Sequence, residues 1–403
     1  MTQPVDPVTT LHTVSISTFR LMLILGTMTA FGPFAIDMYL ASFPGIARDL
    51  DTTLARVQLT LSMFFIGLAA GQLIYGPLID RYGRRRPLLI GVGVFTLASL
   101  VCVFAPNVES LIALRLVQAL GGCAGMVIGR AIISDLYSEG EVARVLSSMM
   151  AVQSFGPIVS PMLGGLLLLV AGWRVMFVVL TLLGLLCFTL TARWLPETLP
   201  PEKRTSQPLN QILITFVRLL WRREFILPTL AGSAALACVS VFITGSPYVF
   251  MGLHGVNEQQ FALLFGLVAL GIVMGAQLNR VMLQHWSPRR VLPWALAANM
   301  LVSLMLLAVA HHAALWVFII PLLLCIATVP LIGANSAAIA MAASGGELGS
   351  ASSIYGLIQF GLASVASSLV STLHDGTAYP MALVILGASV LGNMIYLLRK
   401  SAA

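Results

Sequence analysis

Apolar residues in this chain neither alternate nor recur along one helical stripe. They run in blocks of about twenty, the length that crosses a hydrocarbon core as an α-helix. Twelve such spans are predicted, at 20–42, 55–76, 87–105, 109–135, 146–170, 174–195, 226–249, 260–282, 291–310, 314–340, 351–373 and 379–398. The longest polar connection, between the sixth and seventh spans, is "PETLPPEKRTSQPLNQ", rich in proline and charge. The expected organisation is an all-α membrane protein with an N-terminal six-helix bundle (1–198), a cytoplasmic central loop (199–224) and a C-terminal six-helix bundle (225–403).

The positive charges set an orientation. Arg20, Arg81, Arg84, Arg85, Arg86, Arg144, Arg193, Lys203, Arg204, Arg218, Arg222, Arg223, Arg280, Arg289, Arg290, Arg399 and Lys400 share one side if twelve spans alternate. The other side has only Arg48, Arg56 and Arg174. The bias predicts that both termini and the central loop are cytoplasmic, in a cell's inner membrane.

Composition agrees. Only 9% of residues are charged and 58% are hydrophobic, whereas a soluble domain carries about 25% charged residues. The net charge of +7 lies in clusters between spans, so it reads as topology signal and no nucleic-acid partner is expected. The five cysteines lie in apolar runs without metal-ligand spacing, and none of the six histidines lies deep in a span. No metal and no cofactor are expected. No Lys or Arg precedes Arg20 and no small-residue cleavage pattern follows, so the first span is expected to be retained.

The halves carry a faint repeat. "GQLIYGPLIDRYGRRRPLL" from Gly71 and "GAQLNRVMLQHWSPRRVL" from Gly275 align Arg85 and Arg86 with Arg289 and Arg290 at an offset of 204 residues. Asp80 meets Gln284 and Gly83 meets Ser287, so the second copy has lost the chemistry of the first. Two six-span repeats suggest a transporter with its binding site between the halves, near mid-membrane.

Four features carry chemistry. Between spans 2 and 3, Gly76 and Gly83 allow close approach and a tight turn, and Asp80 and Arg84 offer a charge pair. Arg85 and Arg86 read equally well as topology signals. In one conformational state Asp80 is expected against the N-terminus of span 11, near Ser350 to Ser352, or beside an arginine of span 4. In span 5, Pro157 and Pro161 each remove a helix hydrogen bond while Gly156, Gly164 and Gly165 permit close packing. Glycine and proline are also common in membrane helices at large. In span 4, Arg115 lies about two turns inside, with snorkelling as the alternative to a functional role, and Arg130 is expected to pair with Asp135 or Asp80. Asp37 is the one acid well inside a span. Such a residue costs about 2.5–3.5 kcal/mol on insertion scales, so it has either a fixed structural partner or a task as a protonatable acid at the cavity.

"GPLIDRYGRRRP" resembles the signature loop of the major facilitator superfamily, G-x-L-x-D-r-x-G-r-r. "LRLVQALGG" in span 4 is similar to that superfamily's R-x-x-q-G-x-g pattern, with Ala119 where glycine is usual, and "SFGPIVSPMLGG" resembles its antiporter motif. "GWRVMF" and "LPETLP" resemble the entry and exit of its span 6. "IDMYLASFP" resembles D-M-Y-L-P-x-x-P of the Bcr/CflA drug-efflux family, and "GSASSIYGLIQFG" that family's span 11. Ala41 replaces the first proline, so a span 1 less bent than in relatives is expected. The resemblance implies a twelve-helix exporter of small drug-like compounds in exchange for protons, with bicyclomycin, chloramphenicol-like or sulfonamide compounds as substrates. It implies proton coupling at Asp37 with Arg115, and gating by Gly76, Asp80, Gly83, Arg84, Gly156, Pro157 and Pro161. Phe34, Asp37, Tyr39, Gln118 and Tyr248 are the candidates for the cavity wall.

The rival is a proton-coupled exporter of a natural metabolite such as a sugar, nucleoside or amino acid. It would want more polar residues in the spans than Gln72, Gln118, Gln153, Asn335 and Gln359 supply. A membrane-embedded enzyme would need clustered acids or histidines at depth. No G-x-x-x-x-G-K-[ST] loop occurs, which argues against ATP as energy source. Drug-like substrate, protons and the lipid bilayer are the expected partners, with the chain acting as a monomer.

Overall fold

A computed structural model describes residues 17–137, 139–204, 209–311, 314–345, 347–373 and 375–400. The long elements are all helices: α1 (Thr18–Ile36), α2 (Phe43–Asp49), α3 (Leu54–Tyr82), α4 (Arg85–Val103), α5 (Val108–Leu136), α6 (Glu139–Val170) and α7 (Arg174–Trp194) in the first half. After α8 (Leu209–Trp221) come α9 (Arg223–Ser246), α10 (Glu258–Met282), α11 (Pro288–Ala308), α12 (Leu315–Ala342), α13 (Leu348–Thr372) and α14 (Tyr379–Lys400). Each predicted span falls on one of these elements. Among the described residues eleven segments are long and apolar enough to cross a membrane, and α6 contributes a further apolar stretch, Phe155–Val170. The central loop needs a correction, because residues 199–224 contain the amphipathic helix α8 rather than loop alone.

Small residues bring the helices together, as they must where lipid is as apolar as the side chains. On α3, a Cβ at Gly67 would run into the Leu116 carbonyl, and one at Gly71 would lie 2.5 Å from the Cβ of Cys123, both on α5. On α10, Gly271 and Gly275 face the Leu323 and Ala327 carbonyls of α12 in the same way. The two glycine pairs are 204 residues apart, so the repeat survives in helix packing where it has faded in charge.

Both repeats begin with an interrupted helix. Span 1 stops as α-helix at Ile36, passes through a turn and a 3₁₀ segment at Leu40–Ser42, and resumes as α2. The interruption is present although Ala41 stands where the resemblance has its first proline. Pro33 removes a hydrogen bond within α1, and Pro44 sits in the first turn of α2, where its missing N–H costs nothing. Span 7 also changes, a few residues later in its repeat, from α9 to a π-helical stretch at Pro247–Leu253. Interrupted helices leave backbone groups free to line a site between repeats.

The two ends of the molecule differ. The basic end carries Arg84 to Arg86, Arg222, Arg223, Arg289 and Arg290. At the opposite end the halves are stitched together. Gln58 Nε2 donates to the Thr244 carbonyl at 2.9 Å, Ser364 Oγ to the Ser62 carbonyl at 2.9 Å, and Gln259 Nε2 to the Gly165 carbonyl at 3.4 Å. At the basic end a cavity of about 400 Å³ opens between α3, α5, α8 and α13. The halves close on each other at one end, where a cleft of about 570 Å³ opens beside those contacts between Ser42, Asp49, Trp173 and Glu258, and they part around the cavity at the other.

Candidate functional site

Asp37 sits where α1 ends, its N–H bonded to the Pro33 carbonyl at 2.7 Å. It is 3% exposed, and among the described residues its carboxylate has neither hydrogen-bond partner nor cation. Among the described residues no fixed structural partner holds it. Phe34, half-buried, lies one turn before it.

Arg115 is fully buried, which removes snorkelling. Its guanidinium does not meet the Asp37 carboxylate. Nη2 donates to the Ala35 carbonyl at 2.7 Å and Nη1 to Gln118 Oε1 at 2.6 Å, while the group lies over the rings of Phe64 and Tyr39, at 4.2 and 4.8 Å. The reason lies in α1. A helix that stops at Ile36 leaves its last carbonyls without N–H partners and its negative end bare, and an arginine answers both. Arg115 therefore caps the break beside Asp37 rather than neutralising the acid.

Two cavity candidates turn elsewhere. Gln118 Nε2 donates to Ser99 Oγ at 2.7 Å, and Tyr39 shares a 2.9 Å bond with Thr60 Oγ1 and packs edge-on against Phe43 and Phe177. Both are buried in the core of the first half. Tyr248 lies at the closed end, in a small pocket with Gln58, Val370 and Met381. These three placements correct the expected cavity wall, because aromatic and amide groups in a tightly packed bundle satisfy one another first.

Span 5 bears on the break from the side. A Cβ at Gly156 would strike the Pro33 ring, and one at Gly164 would strike the Met38 carbonyl, so α6 grips α1 on both sides of Asp37. A Cβ at Gly165 would lie 3.4 Å from the Glu258 carbonyl of α10, across the interface between halves. Pro161 cannot donate to the Pro157 carbonyl one turn earlier, so the helix is weakest where it touches both partners.

At the basic end the signature loop forms a clamp. Arg84 donates through Nε and Nη2 to both oxygens of Asp135 on α5, at 2.9 and 3.3 Å, and through Nη1 to Asp80 Oδ1 at 2.8 Å. Thr198 Oγ1 donates to Asp135 at 2.9 Å. Burial works against the Arg84 charge, but the hydrogen bonds and charges of Asp135 and Asp80 outweigh it and hold the guanidinium above its ordinary value. Gly83 takes φ +85°, and a Cβ there would meet the Glu197 carboxylate. That carboxylate accepts from the Arg84 and Arg85 N–H groups at 2.7 and 3.3 Å, capping the start of α4. Asp135, Glu197 and Thr198 were not singled out for these roles. For Glu197 and Thr198 the signal is "LPET" directly after span 6, which reads in sequence only as an exit from the membrane.

One expectation is corrected here. Arg130 Nε donates to the Met126 carbonyl at 3.0 Å and its side chain lines the cavity, because Arg84 already occupies Asp135. With the cavity open, Asp80 touches neither α13 nor an arginine of α5. It lies across the cavity from Leu348 to Ser353, at a helix start with no side-chain cap. Gly76 is where α13 comes close, since a Cβ there would lie 2.7 Å from Ser353 Oγ. Closing the cavity would carry Asp80 onto that bare N-terminus, a contact worth about 0.3–1 kcal/mol. Asp80→Asn should slow transport in proteoliposomes about twofold to fivefold, with expression intact because Asp135 still holds Arg84. An unchanged rate would remove Asp80 from gating.

A family model described as Major Facilitator Superfamily matches residues 23–368. The chain is 33% identical over 381 residues to a bicyclomycin resistance protein homolog of Haemophilus influenzae, covering 94% of this chain and 95% of the relative. It is 31% identical to a chloramphenicol resistance protein of Pseudomonas aeruginosa, covering 93% and 90%. An uncharacterized MFS-type transporter of Bacillus subtilis is 34% identical, covering 93% and 94%. Among solved structures, a D-xylose–proton symporter superposes with a TM-score of 0.73 at 14% identity over 93% of this chain and 97% of that one. At that identity the likeness concerns the fold alone.

Proposed function

The chain belongs to the Major Facilitator Superfamily, and from that membership we propose that it is a drug:H⁺ antiporter exporting small drug-like compounds from the cytoplasm. The relatives named for bicyclomycin and chloramphenicol resistance align over nearly their whole length, which supports drug-like substrates over a sugar, nucleoside or amino acid. The observation that supports proton coupling is Asp37, buried with no cation beside it among the described residues, at the interruption of span 1. An acid so placed is held at least cost when it carries its proton. A drug entering beside it would favour release of that proton.

The positive-inside bias supports an inner-membrane protein with the basic end and both termini in the cytoplasm. The open cavity then faces the side from which drug is taken, and the closed end faces the side of release. Rocking the halves would open the Gln58–Thr244 and Ser62–Ser364 contacts and bring Asp80 to α13. Gly76, Gly83, Arg84, Gly156, Pro157 and Pro161 serve that motion, while Arg115 and Gln118 hold the break in α1. Both halves belong to one chain, so a monomer is complete, and the arrangement calls for no reaction chemistry.

The test is a susceptibility panel in cells stripped of their main pumps, with and without this protein. Raised resistance to bicyclomycin, chloramphenicol or a sulfonamide, lost when the proton gradient is collapsed, is the expected result. Resistance to no compound would return the reading to a metabolite exporter.

A further inference from the structure

Between α7 and α9 the thirteen-residue helix α8 presents three distinct flanks. One docks on the second half, with Leu219 buried against Phe225, Ala340, Ala351 and Ile354 and with Phe216 packed on the same cluster. Phe216 also borders the basic-end cavity. A second flank carries charge, with Arg218 reaching Glu347 just before α13 at 3.7 Å. The third is apolar and bare. Ile214, Val217 and Trp221 recur at helical spacing with Leu220 beside them, and Trp221 is 83% exposed. Arg222 and Arg223 follow at once, exposed, where the chain turns into α9.

The occupant of that flank follows from where the helix lies. It joins two spans at their basic ends, so the level of the bilayer surface passes through it. An apolar flank beside a charged one, with arginines and tryptophan at the boundary, suits the zone between acyl chains and headgroups. We propose that α8 lies in the plane of the bilayer surface, with Ile214, Val217 and Trp221 among the acyl chains and Arg222 and Arg223 at the phosphates of anionic phospholipids. Seated there, it forms a lipid-anchored wall of the cavity, and through Leu219 and Arg218 it steadies the start of α13. The inference needs only that α7 and α9 cross a bilayer, so it stands or falls apart from drug export.

The measurement is tryptophan emission of the full chain in vesicles of dibrominated phosphatidylcholine, taken as the difference between the parent and Trp221→Phe. The Trp221 component should be strongly quenched by bromolipid and protected from aqueous iodide. Adding phosphatidylglycerol should raise the docked population, by about fivefold for each arginine engaged. Arg222→Gln with Arg223→Gln should remove that increase. A spin label at Val217→Cys gives a second reading, because the five native cysteines are buried. It should show oxygen accessibility above that of a water-soluble relaxant. Trp221 emission open to iodide and blind to bromolipid would overturn the proposal. So would quenching that depends on protein-to-lipid ratio, which would assign the flank to a second copy. Equal docking with and without phosphatidylglycerol would overturn the headgroup assignment.

Discussion

Gly156→Leu should slow exchange sharply while leaving drug binding in place. The added side chain points at the Pro33 ring, where even a Cβ has no room. Overpacking of this kind costs about 1–3 kcal/mol, and levied on one arrangement of α1 and α6 it lowers exchange about fivefold to 150-fold. Binding is spared to the extent that Asp37, on the far side of Pro33, keeps its place at the end of α1. Gly387→Leu is the matched control, since a Cβ there meets nothing within 4 Å, and it should transport as the parent does. If Gly156→Leu folds poorly, Gly156→Ala, with a single methyl against the same ring, should show an intermediate loss. Counterflow in proteoliposomes and drug binding in detergent separate the two effects. Normal counterflow in Gly156→Leu would mean that the contact with Pro33 plays no part in the motion.

The helices were legible because hydrocarbon imposes a length on every apolar segment and allows no irregular backbone in contact with lipid. The signature loop was legible for a similar reason, since a left-handed turn at Gly83 and a paired Asp80 and Arg84 leave little freedom of residue type. The inward faces of the helices were not. In a span that is apolar on every side there is no amphipathic period to show which face meets the core, so Tyr39 and Gln118 gave no sign of their orientation. Arg115 was noticed for its charge, but its partner is the Ala35 carbonyl, and a backbone group has no signature in sequence. Glu197 was hidden in the same way, because it caps α4 through N–H groups that any residue carries. Helix α8 was missed because its thirteen residues are too short a run to cross hydrocarbon, and its proline-rich approach reads as loop.

Asp37→Asn should abolish export driven by a proton gradient. Asparagine keeps the size and polarity of the carboxyl but neither takes nor gives a proton, so drug capture no longer has a proton to displace. Competition for one site requires that drug and proton each weaken the other, typically by about fivefold to 150-fold in a coupled pair. The parent should therefore bind drug less well as pH falls, and Asp37→Asn should bind it with little dependence on pH. Arg115 shapes this indirectly. Because it holds the Ala35 carbonyl rather than the acid, Arg115→Gln should loosen the break in α1 and weaken drug binding, yet leave a proton to be released. The two variants thus separate the coupling acid from the residue that positions it. Proton release on adding drug to detergent-solubilised protein reads the difference directly: present in the parent, reduced in proportion to binding in Arg115→Gln, absent in Asp37→Asn. If Asp37→Asn releases as many protons as the parent, the carboxylate is structural and the coupling acid lies elsewhere in the chain.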